Sequence, residues 1–272
     1  MNLSSKYPRV RLLGVDVFAL RMDTVLDIAN EHIANRERLL IGVVNVAKIV
    51  NMRKNRELRA SLEEADLVLV DGWPIVWLSR MLGNPLPERL AGIDIMYELL
   101  KQAHSNRYRV YFLGAEYSVL HRAIRTVQED YPGIQIAGFR DGYFAENQER
   151  DVAESIEKSQ PDILFVGISS PKKENFLRKW RNFMNVPVCH GVGGSFDILA
   201  GATKRAPFWI QKYGLEWLFR LMQEPRRMWK RYLVTNIIFI KLSLEAILRA
   251  RLARLFRKST CVTACNREKL SD

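Results

Sequence analysis

Five short apolar runs constrain this chain most, because each is too short for a buried helix and none alternates with polar residues. They lie at residues 39–44, 67–70, 109–113, 162–166 and 186–189. Strands apolar throughout are buried on both faces, which is the condition of a parallel sheet covered by helices. The intervening stretches supply those helices. Val25, Ile28, Ala29 and Ile33 keep helical spacing, as do Ile93, Met96, Leu99 and Leu100, and Leu120, Ala123, Ile124 and Val127. A further run at 134–137 adds a strand, and residues 10–20 read as one strand-like opening.

The alternation predicts an α/β fold, a Rossmann-like, mostly parallel sheet with helices on both faces. No internal repeat or low-complexity linker interrupts it. Composition changes only between Gly201 and Pro207, after which the chain is helical, aromatic and basic. The expected division is an α/β core at 1–205, a helical basic appendage at 206–258 and a polar tail at 259–272.

The net charge of +12 is concentrated in that appendage. From Arg226 to Lys258, ten basic residues face a single acid, Glu245, so the body is nearly neutral. A nucleic-acid-binding domain would spread its charge differently, so no nucleic acid is expected as a partner. The apolar positions Leu233, Ile237, Ile240, Leu244, Ile247 and Leu248 form a helical stripe beside the basic residues. Basic amphipathic helices of this kind lie on anionic membrane surfaces. A partner-protein helix or a nucleic-acid arm are the competing readings. The segment is too polar and too short to span a bilayer. With no apolar leader at the N-terminus, the expected place is cytoplasmic, with the 226–258 segment on a membrane surface.

Cys189, in an apolar strand, reads as a small buried hydrophobe, and Cys261 and Cys265 as free thiols in the tail. His32, His104, His121 and His190 share no metal-ligand spacing, and no D-x-D pair occurs. No metal and no cofactor are therefore expected. His190, ending a strand, reads as a core histidine.

The chemistry gathers where the strands end. Asn45, Asp71-Gly72, Gly114, Gly167 and the cluster Gly191, Gly193 and Gly194 each follow a strand. Open α/β sheets bind ligands at that edge, where glycine lets backbone N–H groups approach a phosphate. The same glycines also serve simple tight turns. None completes the G-x-G-x-x-G dinucleotide pattern, which disfavours a nicotinamide enzyme. Asp71 is placed to act as a general base or, more plainly, as a helix cap. Lys172 and Lys173 open a helix after Pro171, a position the helix dipole disfavours for cations, so they are candidates to meet an anion. Arg89 has the geometry of a phosphate clamp or a partner for Glu88.

Several segments together resemble the WecG/TagA/CpsF family, glycosyltransferase family 26. They are Asn45 in its turn, ADLVLVDG around Asp71, ERLAGIDI from Glu88, YFLGA at Gly114, GFRDGYF, VGISSPKKE from Val166, GVGGSFDILAGATKRAP from Gly191 and LEWLFRLMQEPRRMWKRYL from Leu215. The resemblance spans about residues 13–232. It implies an inverting bacterial enzyme that moves a sugar from a UDP-sugar to a polyprenyl-diphosphate-linked saccharide at the inner face of the cytoplasmic membrane. Carried over, Asp71 is the base, Arg89 holds donor phosphate, and Asn45, Lys173 and Asp197 line the sugar and nucleotide pocket. Gly72, Gly114, Lys172, Glu174, Gly193 and Gly194 join that set, and Arg220, Arg227 and Lys230 supply cations from the appendage. The chain departs from the family pattern at Val43, where Thr is common, and at Lys173, where Gln is common. A charge at Lys173 favours an acidic sugar. A non-catalytic activator of another glycosyltransferase is the alternative reading, and a homo-oligomer stays open.

Overall fold

In the computed structural model, residues 3–268 are described, with side chains described for all of these except Arg227, Arg231 and 253–268. The apolar runs become a six-stranded, wholly parallel sheet in the order β4-β3-β8-β7-β5-β6. Its strands are β3 (Leu39–Val44), β4 (Leu67–Val70), β5 (Arg109–Gly114), β6 (Gln135–Arg140), β7 (Ile163–Gly167) and β8 (Val188–Gly191). The expected strand-like opening is instead a two-stranded antiparallel hairpin, β1 (Arg9–Leu12) and β2 (Val15–Phe18). Leu13 and Gly14 both take left-handed backbone angles, φ 50° and 89°, and that reverses the chain.

Alternate residues of β3, β4, β5, β7 and β8 enter different cores. Leu67 and Leu69 pack with α2 (Met22–Ala34) and α6 (Gly92–Asn106), whereas Val68 and Val70 pack with α3 (Val46–Asn51), α4 (Arg56–Glu63) and α5 (Trp73–Met81). Further along the sheet, Phe112 and Phe165 meet α7 (Tyr117–Asp130) and α10 (Ser195–Leu199), while Leu113 and Leu164 meet α8 (Glu149–Ser159) and α9 (Lys172–Met184). Period-two alternation with both faces buried is what the unbroken apolar runs required.

The appendage comprises α11 (Phe208–Lys212), α12 (Glu216–Gln223) and α13 (Pro225–Glu268). Helix α13 packs against α3 and anchors through Phe239, which is buried in the core beneath α5. The apolar stripe read from the sequence therefore divides. Leu233, Ile237, Ile240, Leu244 and Leu248 are exposed, but Ile247 packs against the same core as Phe239. Among the described residues no helix is long and apolar enough to cross a membrane.

Candidate active site

The carboxyl ends of β4, β3, β8 and β7 form the floor of a cleft of about 1040 Å³, roofed by α12 and the first turns of α13. Asp71 stands at its β4 corner. Its N–H donates to the Val44 carbonyl (2.8 Å), which extends the β3–β4 pairing by one residue. Gly72 then takes φ 122°, a value that strongly favours glycine, and turns the chain into α5 with Pro74 in the first turn. Asp71 makes no cap to this helix, so the capping reading falls.

β4 is an edge strand, and its free edge is used. The Leu90 N–H donates to the Val70 carbonyl (2.9 Å), laying residues 88–90 along the strand end. Glu88 does not pair with Arg89. Its carboxylate accepts from the Met22 N–H at the start of α2. Arg89, almost wholly buried, instead donates to Asp94 (3.2 Å) and to Glu216 of α12, while Arg205 takes the other oxygen of Asp94. Burial lifts the Asp71 carboxyl to about 6, against Arg89, with Glu216 and Asp94 adding to the rise. A carboxyl with that proton affinity suits a base working near neutral pH.

A second charged group lies across the floor. Asn45 caps α3 by accepting from the Lys48 N–H (3.0 Å) and borders the cleft. Lys48 Nζ donates to the Val43 carbonyl (2.7 Å) and lies 3.1 Å from Glu174. Lys173 Nζ lies 3.3 Å from the same carboxylate oxygen and crosses the end of β8 at Gly191. Burial and the neighbouring Lys48 push the Lys173 ammonium down to about 8, while Glu174 partly restores it. Burial alone would raise Glu174, but Lys173 and Lys48 outweigh it and hold the carboxyl at about 2. Two lysines on one carboxylate leave one net positive charge in the floor.

Gly193, Gly194 and Asp197 follow β8 and line the same cleft as Asp71. The position of an added Cβ at Gly194 lies 3.4 Å from Asp197 Oδ2 and 3.7 Å from Arg220 Nη2, so these two side chains converge there. The roof is fixed by Gln223, which exchanges two 3.1 Å hydrogen bonds with the Lys204 backbone.

Asn45, Asp71, Gly72, Lys173, Gly193, Gly194, Asp197 and Arg220 thus come together. Other candidates do not border the cleft. Gly114 pairs with Gly167 between β5 and β7. Lys172 turns away, donating to the Phe144 carbonyl (2.6 Å) over the Phe144 ring. Glu174 lies beneath Lys173, Arg89 is enclosed by its acids, and Lys230 is exposed. Arg227, Cys261 and Cys265 lie outside the described side chains. Sequence reading missed Lys48, Asp94, Arg205 and Glu216. The spacing of Lys48 three residues after Asn45 was the only local signal. His190 is buried, with its ring nitrogens 2.9 Å from the Gly92 carbonyl and 3.4 Å from that of Ile41, and Cys189 is buried and free. Among the described residues no three His, Cys, Asp or Glu side chains are grouped to hold a metal.

This geometry belongs with a sequence match. The glycosyl transferase WecG/TagA/CpsF family matches residues 10–253, a span that includes the whole cleft and most of α13. The chain is a member of that family. It is accordingly a glycosyltransferase. It is 41% identical over 180 residues to an N-acetylglucosaminyldiphosphoundecaprenol N-acetyl-beta-D-mannosaminyltransferase of Bacillus spizizenii strain W23, covering 66% of this chain and 69% of the relative. Proteins with the same name in Bacillus subtilis strain 168 and Staphylococcus aureus strain MW2 are 35% and 33% identical. They align over 78% and 84% of this chain and over 82% and 88% of their own lengths.

Proposed function

We propose that the chain is an inverting, metal-independent glycosyltransferase that moves a sugar from a UDP-sugar donor to a polyprenyl-diphosphate-linked saccharide. Its product would enter bacterial cell-surface or exopolysaccharide synthesis. The observation that carries this reading is Asp71. It is a carboxylate held at the mouth of a strand, open to a cationic cleft and raised to about 6 by burial. The acceptor named for the relatives, a diphosphoundecaprenol-linked N-acetylglucosamine, supports the acceptor class.

Asp71 takes the proton of the acceptor hydroxyl as its oxygen forms the new bond to the anomeric carbon of the donor. The bond from that carbon to the diphosphate oxygen breaks, and UDP leaves with the electron pair. Attack on the face opposite the leaving group inverts the anomeric centre. Arg220, Lys204 and the Lys48–Lys173 pair border or underlie the cleft and offer fixed positive charge to the departing diphosphate. Arg89, engaged by Asp94 and Glu216, stands beside the base rather than on the donor.

A lipid-linked acceptor supports a reaction carried out at a membrane. Phe208, Trp209 and Tyr213 of the appendage are exposed, as are Trp229, Leu233, Ile237, Ile240, Leu244 and Leu248 of α13. An apolar stripe of this extent beside Arg226, Lys230, Lys241, Arg249 and Arg251 suits peripheral attachment to the anionic inner face of the cytoplasmic membrane. The test is a panel of UDP-sugars, neutral and acidic, assayed with a short-chain polyprenyl-diphosphate N-acetylglucosamine. Transfer from at least one donor supports the reading, and the net charge at Lys173 favours the acidic donors. No transfer from any, with donor binding intact, contradicts it.

A further inference from the structure

Asp71 shares its corner with a ring of charges drawn from several elements. Those that face it are Arg89 from the loop along β4, Asp94 from α6, and Glu216 and Arg220 from α12. Helix α5, which follows Asp71 directly, has no acid in its first turn. Lys48 of neighbouring α3 is turned away, toward Val43 and Glu174. Arg89 is therefore the cation that acts most strongly on Asp71, and its side chain is only 8% exposed. It is held from both sides, by Asp94 of the core and by Glu216 of the appendage, and Arg205 balances Asp94.

Of these groups only Glu216 and Arg220 arrive with α12. If Glu216 were absent, the Arg89 guanidinium would keep one carboxylate, itself shared with Arg205. Its charge would then fall on Asp71. A cation at that range favours an ionised carboxylate and makes it a poorer acceptor of protons.

We infer that Glu216 is a positioning residue for the base: by engaging Arg89 it shields Asp71 from that cation, so the cleft holds a strong base only while α12 is docked. The inference rests on Asp71 being the general base. It gives the appendage a role beyond roofing the cleft, because seating α12 and preparing Asp71 become one event. The direction agrees with the electrostatics at Asp71, where Arg89 lowers the carboxyl and Glu216 raises it by more than Arg220, which α12 also brings, lowers it.

The experiment is kcat/KM against pH for the full chain, Glu216→Gln, Glu216→Asp and Asp71→Asn, with a UDP-sugar and a short-chain polyprenyl-diphosphate acceptor. Glu216→Gln should move the acid limb down by about one pH unit and lower the plateau several-fold, as a weaker base requires. Glu216→Asp, which keeps the charge, should restore most of the limb. A fall in rate with the limb unmoved overturns the inference, because a clamp that only holds helices together would behave that way. An unchanged rate and limb overturn it as well. Should Glu216→Gln fail to fold, Asp94→Asn removes the other carboxylate from the same guanidinium and must also lower the limb, and an unmoved limb there is equally contrary. Asp71→Asn separates the two levels. If it keeps turnover, the reading of Asp71 as base falls. If it abolishes turnover while Glu216→Gln leaves the limb in place, only the role of Glu216 falls.

Discussion

Gly214 lies flat against Trp73: a Cβ at Gly214 would come within 2.9 Å of the Trp73 Cβ, and the glycine holds φ 71°. Trp73 is two residues from Asp71, so the chain beside the proposed base is also the seat of the appendage. Replacing Gly214 by Ala strains the backbone and collides with Trp73, at a cost to docking of about 1–3 kcal/mol. Faster proteolytic cutting around 200–225 and a several-fold loss of transfer are expected, with the melting of the core little changed. Unaltered proteolysis and activity would argue against this seat.

The raised Asp71 carboxyl has a stability consequence of definite sign. Its folded value of about 6 exceeds the unfolded 3.8, so its contribution is fully present below pH 3.8 and is lost as pH rises through 6. Above pH 6 the folded chain carries the cost of an ionised, desolvated carboxylate. Asp71→Asn removes that cost and should raise Tm by about 2–5 °C at pH 7.5, with the gap closing near pH 4. Thermal melts across pH check this, and a lowered Tm at pH 7.5 would oppose it.

Glu174 behaves in the opposite sense. Its carboxyl is held at about 2 by Lys173 and Lys48, below the ordinary 4.5, so its stabilisation is present above pH 4.5 and is lost as pH falls through 2. Glu174→Gln leaves the buried Lys173 and the half-buried Lys48 without their shared acid and should cost about 3–5 kcal/mol in urea unfolding at pH 7. The variant should also lack the wild-type decline in stability between pH 4.5 and 2. A loss under 1 kcal/mol would mean that the lysines find other partners.

How much of this was legible in the sequence follows from how far apart the cooperating residues lie. The strands were readable because period and apolarity are local, and Asp71 because a strand end marks a ligand edge. The hairpin at Leu13–Gly14 was hidden because a single glycine was all that marked the reversal within an otherwise extended run. The Arg89–Glu216 pair joins residues separated by 127 positions, a distance over which side-chain spacing carries no signal. Lys172 shows the converse. Its place at the start of a helix suggested an anion site, but the preceding turn aims it at Phe144, and its neighbour Lys173 enters the cleft instead. Ile247 belonged to the right helix, and only the packing of Phe239 fixed which face it turns inward.

The two faces of α13 should separate in a membrane assay. Ile237 and Leu244 are 58% and 56% exposed, so replacing both with Glu removes apolar surface without disturbing the core. Binding to vesicles containing anionic lipid should fall at least tenfold while Tm stays within about 1 °C. Ile247→Glu, on the inward face, should instead lower Tm by several degrees. Undiminished vesicle binding of the double variant would remove the stripe from the attachment surface.

The most direct test is the turnover of Asp71→Asn with a UDP-sugar and a polyprenyl-diphosphate-linked N-acetylglucosamine, alongside donor affinity by calorimetry. Loss of a general base should lower kcat by about 10²–10⁴-fold while donor affinity stays within a few-fold of wild type. Turnover within tenfold of wild type, at equal donor affinity, would contradict the assignment of Asp71 as the base.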